Sequence, residues 1–348
     1  MKTCAISILA LAVASLQAFP ANRLAIVISP DAGNEWREVA ATLAAKHSGD
    51  AVCSIMETAP TGSLEKLREF SPTHVAFVMP CDSFDNSVLL ALKSMMRCID
   101  PDPYDDAIWS VLTGPVPSVA RRIAASREPQ RIDAMLATTG VDMNDVPGEV
   151  AVLSDAFPVG EYMLKSADGS VVKECVTGDV SHVFREAWAR LDPQLIVTSS
   201  HATERNLEMP FSQGNVTVAN GAFVAGGATF SVPRREKVWI APGNCLIANH
   251  IDSNDMLMTA LSFGKVNQFA GYIKKTWFGF VGWNTWRNFE KLGMPLNEAY
   301  FSACRELQRK LSSGEWDDDR EKAGLEWDLD GTMFYGDPLL EIRLAPAQ

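Results

Sequence analysis

Short, wholly apolar runs recur along the chain, and segments with helical period separate them. Residues 23–29 (RLAIVIS), 73–79 (THVAFVM), 107–113 (AIWSVLT), 149–153 (EVAVL), 195–198 (LIVT), 237–241 (KVWIA) and 269–274 (FAGYIK) are near-continuous apolar stretches. Runs of that length predict strands covered on both faces, as in a parallel sheet. Ala51–Ile55 and Ser170–Val176 add two more strands. Between them, Asn34–His47 places Trp36, Val39, Leu43 and Ala44 on one helical face. Ser63 is a ready N-cap for a helix to Phe70. Val88–Cys98, Ser118–Ser126, Gln130–Ala137, Val159–Ser166, Ser181–Leu191, Asn254–Phe263 and Asn297–Ser312 are also expected as helices. Residues 204–230 are rich in Gly and Asn and predict a loop or hairpin.

Strands alternating with helices predict an α/β fold with mostly parallel sheets flanked by helices. Turn chemistry at Thr138-Thr139-Gly140 and at Asp145-Val146-Pro147-Gly148 divides the chain into two consecutive α/β subdomains, residues 19–140 and 141–348.

Two of the apolar runs end in chemistry. Leu195-Ile196-Val197 delivers Ser199-Ser200-His201-Ala202, and Val238-Trp239-Ile240-Ala241 delivers Pro242-Gly243-Asn244-Cys245. If those strands are parallel neighbours, His201 and Cys245 emerge at one sheet edge, where open α/β sheets carry their sites. A thiol attacks as its thiolate, and an adjacent imidazole takes its proton. Taken singly, a Cys is more often an inert packing residue and a His a satisfied core residue. The repeated pattern of apolar run then His, and 44 residues later apolar run then Cys, is what points to a dyad.

Composition narrows the partners. The net charge is -12 and the pI about 4.9, so no basic stripe is present to track a nucleic-acid backbone. Lys2, the apolar Ala5–Ala14 stretch and Leu16-Gln17-Ala18 read as a cleaved signal peptide over residues 1–18. The mature chain is then expected to be secreted or periplasmic, without a membrane anchor. Of seven Cys, Cys4 leaves with that signal, and the other six fit no compact disulfide framework. Most are expected to be buried. The five His never fall in a paired-ligand spacing, so neither metal nor cofactor is expected.

The pieces LIVTSSHATE, VWIAPGNCLIAN, AGYIKKTWFGFVGW and FYGDPLLEIRL resemble the gingipain-like family of caspase-like (clan CD) cysteine peptidases. The resemblance implies a two-subdomain caspase-like fold and cleavage of peptide or protein substrates through a thioester. It assigns Cys245 as nucleophile, His201 as general base and acid, and Asp155 as the carboxylate orienting the imidazole. The N–H groups of Cys245 and Ala202 would hold the oxyanion. Trp277, Trp283 and Asn244 would line the substrate pocket. The chain departs from the family where His-Gly becomes His201-Ala202, and where Asn244 replaces a small residue before the nucleophile. No acidic residue stronger than Asp168 is available to bind a basic side chain, so cleavage after Arg or Lys is not implied. Two other readings stay open: a catalytically inactive binding or scaffold relative, and a hydrolase or transferase acting on a non-peptide acyl group.

Overall fold

A computed structural model describes residues 22–129 and 131–345. The expected signal segment lies outside the described residues.

The apolar runs assemble one twelve-stranded sheet. Its strands are β1 (Asn22–Ile28), β2 (Ala51–Glu57), β3 (His74–Val78), β4 (Ile108–Leu112), β5 (Ala134–Ala137), β6 (Glu149–Leu153), β7 (Glu161–Lys165), β8 (Val171–Cys175), β9 (Leu195–Val197), β10 (Lys237–Ile240), β11 (Val266–Tyr272) and β12 (Thr332–Gly336). Their spatial order is β2-β1-β3-β4-β12-β11-β10-β9-β5-β6-β7-β8. Pairing is parallel through β2-β1-β3-β4 and through β11-β10-β9-β5-β6. β12 runs antiparallel to β11, and β7 and β8 form an antiparallel edge on β6. This is the mixed, mostly parallel α/β sheet that the sequence predicts.

Nine helices among the described residues flank it: α1 (Asn34–His47), α2 (Leu64–Phe70), α3 (Asn86–Met96), α4 (Pro117–Ala125), α5 (Ser181–Leu191), α6 (Met256–Leu261), α7 (Phe280–Glu290), α8 (Leu296–Ser313) and α9 (Asp319–Gly331). Covering both faces is why inner strands such as β3, β5 and β9 are buried at every position. In β9 and β10, Leu195, Val197, Val238 and Ile240 face α7 and α8, while Ile196 and Trp239 enter the opposite core.

Several elements differ from the prediction. Ala134–Ala137, expected as part of a helix, is a fully buried strand; Ala, Met and Leu suit both states, and a four-residue apolar run cannot distinguish them. Glu161–Lys165, also expected helical, is β7, joined to β8 by a turn in which Ser170 N donates to Asp168 Oδ1 at 2.9 Å. Residues 202–229, expected as a loop or hairpin, form successive hairpins that make a five-stranded antiparallel sheet. The aromatic segment at 277–286 turns helical from Phe280, and α9 and β12 were not foreseen.

The carboxyl ends of the two halves of the sheet meet along one edge. Asn86, at the start of α3, donates to the carbonyl of Ile273 just past β11 (3.2 Å). His250 Nε2, beyond β10, donates to the carbonyl of Cys81, beyond β3 (2.7 Å). No helix of the described residues is long and apolar enough to cross a membrane.

Candidate active site

β9 and β10 are parallel neighbours in register Leu195–Val238, Ile196–Trp239 and Val197–Ile240. Their exits stay side by side. Thr198 N donates to Ile240 O at 3.1 Å, and Trp239 Nε1 donates to Thr198 Oγ1 at 2.8 Å. Gly243 lies so close to Ser199 that a Cβ there would come within 2.2 Å of the serine Oγ, so a larger residue would force that hydroxyl to swing away. One step on, buried Asn244 donates through Nδ2 to Ser200 O at 2.8 Å. His201 and Cys245 are the next residues on these two tethered exits.

Further ties fix the His201 side to the chain that follows Cys245. Asn249 Nδ2 donates to Glu204 Oε1 (2.7 Å), Met256 N donates to Glu204 O (2.6 Å), and Arg205 pairs with Asp252. Cys245 is half-buried, and its Sγ accepts the N–H of Thr276 at 3.3 Å. The His201 ring is exposed and makes no hydrogen bond among the described residues, to Cys245 or to any other group. Such contacts are commonly loose in ligand-free sites and close with substrate. Leu246, immediately after the cysteine, has φ 58°. A branched residue rarely adopts that left-handed conformation, and strain of this kind gathers at functional turns.

Ala202 pairs with Leu207 in the hairpin after His201, and Glu208 N donates to His201 O at 2.9 Å. Hydrogen-bonded and non-bonded pairs alternate along an antiparallel ladder. The Ala202 N–H therefore points away from its partner strand. Its backbone is ordinary strand, which alanine adopts without cost.

Asp155 follows β6, which β5 separates from β9. Its carboxylate is exposed and takes no hydrogen bond among the described residues, so the structure does not join it to His201. Trp277 is 68 % exposed and sits one residue beyond the amide that contacts Cys245. It stacks on Trp327 of α9, with centroids 6.2 Å apart. Trp283 lies on the first turn of α7, which packs against Pro242 below the cysteine turn; a Cβ on Gly282 would meet the Pro242 carbonyl at 2.4 Å.

Two site residues were missed in the sequence, Trp327 and Asp328. Buried Asp328 accepts from Tyr272 Oη (3.0 Å), Gly279 N (3.0 Å) and Val281 N (2.8 Å), so it fixes the aromatic segment that runs beside Cys245. Burial pushes its carboxyl above the ordinary value, against those three donors. The available signal was Asp318 followed three residues later by Glu321, an N-cap pattern that opens α9; Asp318 accepts from Glu321 N at 2.8 Å.

The other five described cysteines are also unpaired. Contrary to the expectation that most are buried, only Cys304 is; Cys98 and Cys175 are exposed.

No protein-family model matches the sequence, and no curated protein does. A solved structure, the complex of Porphyromonas gingivalis RgpB pro- and mature domains, matches in fold with a TM-score of 0.55 at 8 % identity. The match covers 92 % of this chain and 80 % of that one. The chain is similar to that protein in architecture, and its fold is gingipain-like.

Proposed function

We propose that the chain is an exported cysteine peptidase that cleaves peptide bonds with Cys245 as nucleophile and His201 as proton carrier. The observation that supports this best is the Asn244–Ser200 hydrogen bond, which brings the two strand exits together one residue before each proposed catalytic side chain. His201 takes the thiol proton as sulfur attacks the carbonyl carbon. The N–H groups of Cys245 and Ala202 receive the developing oxyanion. His201 then protonates the departing amine, and water hydrolyses the thioester. Trp277 and Trp283 offer apolar walls for substrate side chains, and Asn244 orders the loop between them and the dyad. Asp155 is retained as the carboxylate that the resemblance assigns to His201.

The test is alkylation of the mature protein with iodoacetamide, with adduct rates mapped cysteine by cysteine. Exposed Cys98 and Cys175 serve as internal references. Cys245 is expected to react about tenfold or more faster than either, and to lose that advantage in His201→Ala. Equal rates at the three positions, unchanged in the variant, refute the dyad. Asp155→Asn separates the third role: a slower Cys245 reaction supports it, and an unchanged one confines the chemistry to Cys245 and His201. Digestion of a peptide library then distinguishes peptide hydrolysis from transfer of another acyl group.

A further inference from the structure

The first four strands have the order β2-β1-β3-β4. The chain leaves β1 toward β2 on one side, then returns past β1 to β3 on the other. That reversal opens a crevice at the carboxyl ends of the strands, where open α/β sheets hold ligands. A cavity of about 730 Å³ lies beside this crevice, past the carboxyl ends of β3 and β4, a volume suited to a small molecule.

Its walls are built from separate parts of the chain. Trp36 comes from α1, Phe84 from the turn after β3, Pro115 from the turn after β4, and Ile251 from the segment that continues from Cys245. The wall carrying His250 is pinned in place. Its Nε2 donates to Cys81 O, its Nδ1 meets Asp255 Oδ2 at 2.8 Å, and its ring centroid lies 5.2 Å from that of Phe84. Cys245 and His201 do not line this cavity.

The charge lining it is negative. Asp82, Asp85 and Asp252 contribute carboxylates, and no Lys or Arg lines the space. Charge on His250 is matched by Asp255, and Asp252 is paired with Arg205. Asp85 caps α3 through Oδ1. Asp82 has no hydrogen-bond or ion-pair partner among the described residues, so two carboxylates stand without a countercharge. Trp36 and Phe84 are buried beneath the cavity, and its open apolar wall is Ile251 with Pro115 and Pro117; such a wall beside unpaired carboxylates fits a cation carried on an apolar body.

We propose that this cavity is a binding site for a small organic cation, an ammonium group on an aromatic or aliphatic body. Asp82 and Asp85 face the charge, while Ile251, Pro115 and Pro117 hold the body. The proposal does not depend on Cys245 being catalytic.

Calorimetric titration of the mature chain with benzyltrimethylammonium tests it, with benzyl alcohol and benzoate as neutral and anionic counterparts. The cation is expected to bind saturably at one site, and the two counterparts about tenfold more weakly or less. Asp82→Asn should weaken the cation about two- to fivefold; the side chain is exposed and unbonded, so the fold does not rest on it. Ser253→Trp, which fills the cavity wall, should abolish binding, with an unchanged circular dichroism spectrum. Equal affinity for the three probes, no saturable heat, or cation binding indifferent to both variants would overturn the assignment. So would binding of an acetylated Ala-Lys-Ala amide in the absence of benzyltrimethylammonium binding, because the ligand would then be a peptide chain.

Discussion

Ala202 is the residue at which this chain departs most visibly from the peptidases it resembles. The structure makes the departure inexpensive, because the position is ordinary strand and its N–H is turned out of the hairpin ladder. Ala202→Gly is therefore expected to leave the alkylation rate of Cys245 within about twofold, while lowering stability by roughly 0.5–1 kcal/mol through glycine's larger unfolded-state entropy. Urea unfolding read beside the alkylation rate checks both; a tenfold faster Cys245 would mean that Ala202 constrains the site after all. Asn244 carries the opposite expectation. Asn244→Ala strands the Ser200 carbonyl and frees one exit from the other, at a cost of about 1–2 kcal/mol. It should slow Cys245 alkylation several-fold without altering Cys98. The sequence shows Asn244 only as an oddity before the nucleophile. Its role depends on a partner 44 residues away, which no local pattern reveals.

At the scale of elements, the placement of the aromatic segment beside Cys245 depends on α9. Asp328 gathers three donors from β11, from the aromatic loop and from the start of α7, and so ties that continuous stretch of chain to α9. Asp328→Ala leaves those donors unpaired in the interior and is expected to cost about 3 kcal/mol or more. Amides of residues 276–283 should exchange with deuterium faster in that variant before global unfolding. Unchanged exchange with full stability would show that the aromatic loop holds itself. The buried strands, and helices such as α1 and α5, were legible because their period is unambiguous. β5 and β7 were not: a short run of Ala, Met and Leu is equally compatible with a helix, and β7 is half-exposed at an edge. The fold of residues 202–229 was hidden for another reason. Its strands are two to five residues long, and they are stabilised by packing of Phe223 and Phe230 on Trp188, which is a tertiary event.

At the scale of the whole molecule, the tail after β12 ties the two ends of the chain together. Asp337 is fully buried and accepts from Lys46 Nζ (2.5 Å) and His47 Nε2 (2.7 Å) at the end of α1. These partners hold its carboxyl down from the ordinary 3.8 to about 2. A depressed folded-state pKa contributes stability that is fully present above the unfolded value and is lost as pH falls through the folded one. The clamp should therefore contribute about 2 kcal/mol above pH ~4 that disappears as the pH approaches ~2. Urea midpoints at pH 5 and near pH 2 should differ accordingly, and the difference should shrink in Asp337→Asn. A wild-type slope that persists in the variant would place the acid sensitivity elsewhere. In the sequence, GDPLLE stands out as a motif, but nothing there says that its carboxylate reaches a helix some 290 residues earlier.

The two proposed catalytic side chains are attached to bodies of different size. Cys245 hangs from the centre of the twelve-stranded sheet, whereas His201 leads into the small antiparallel sheet packed on an aromatic cluster. Cooperative units of unequal stability open at different free energies. Amides of residues 206–225 are thus expected to exchange with deuterium through a lower-energy opening than those of β10 and β11. Each such opening would carry His201 away while Cys245 stays in place. The temperature at which the two side chains lose their proximity would then be set by the hairpins, several degrees below the temperature at which the large sheet unfolds.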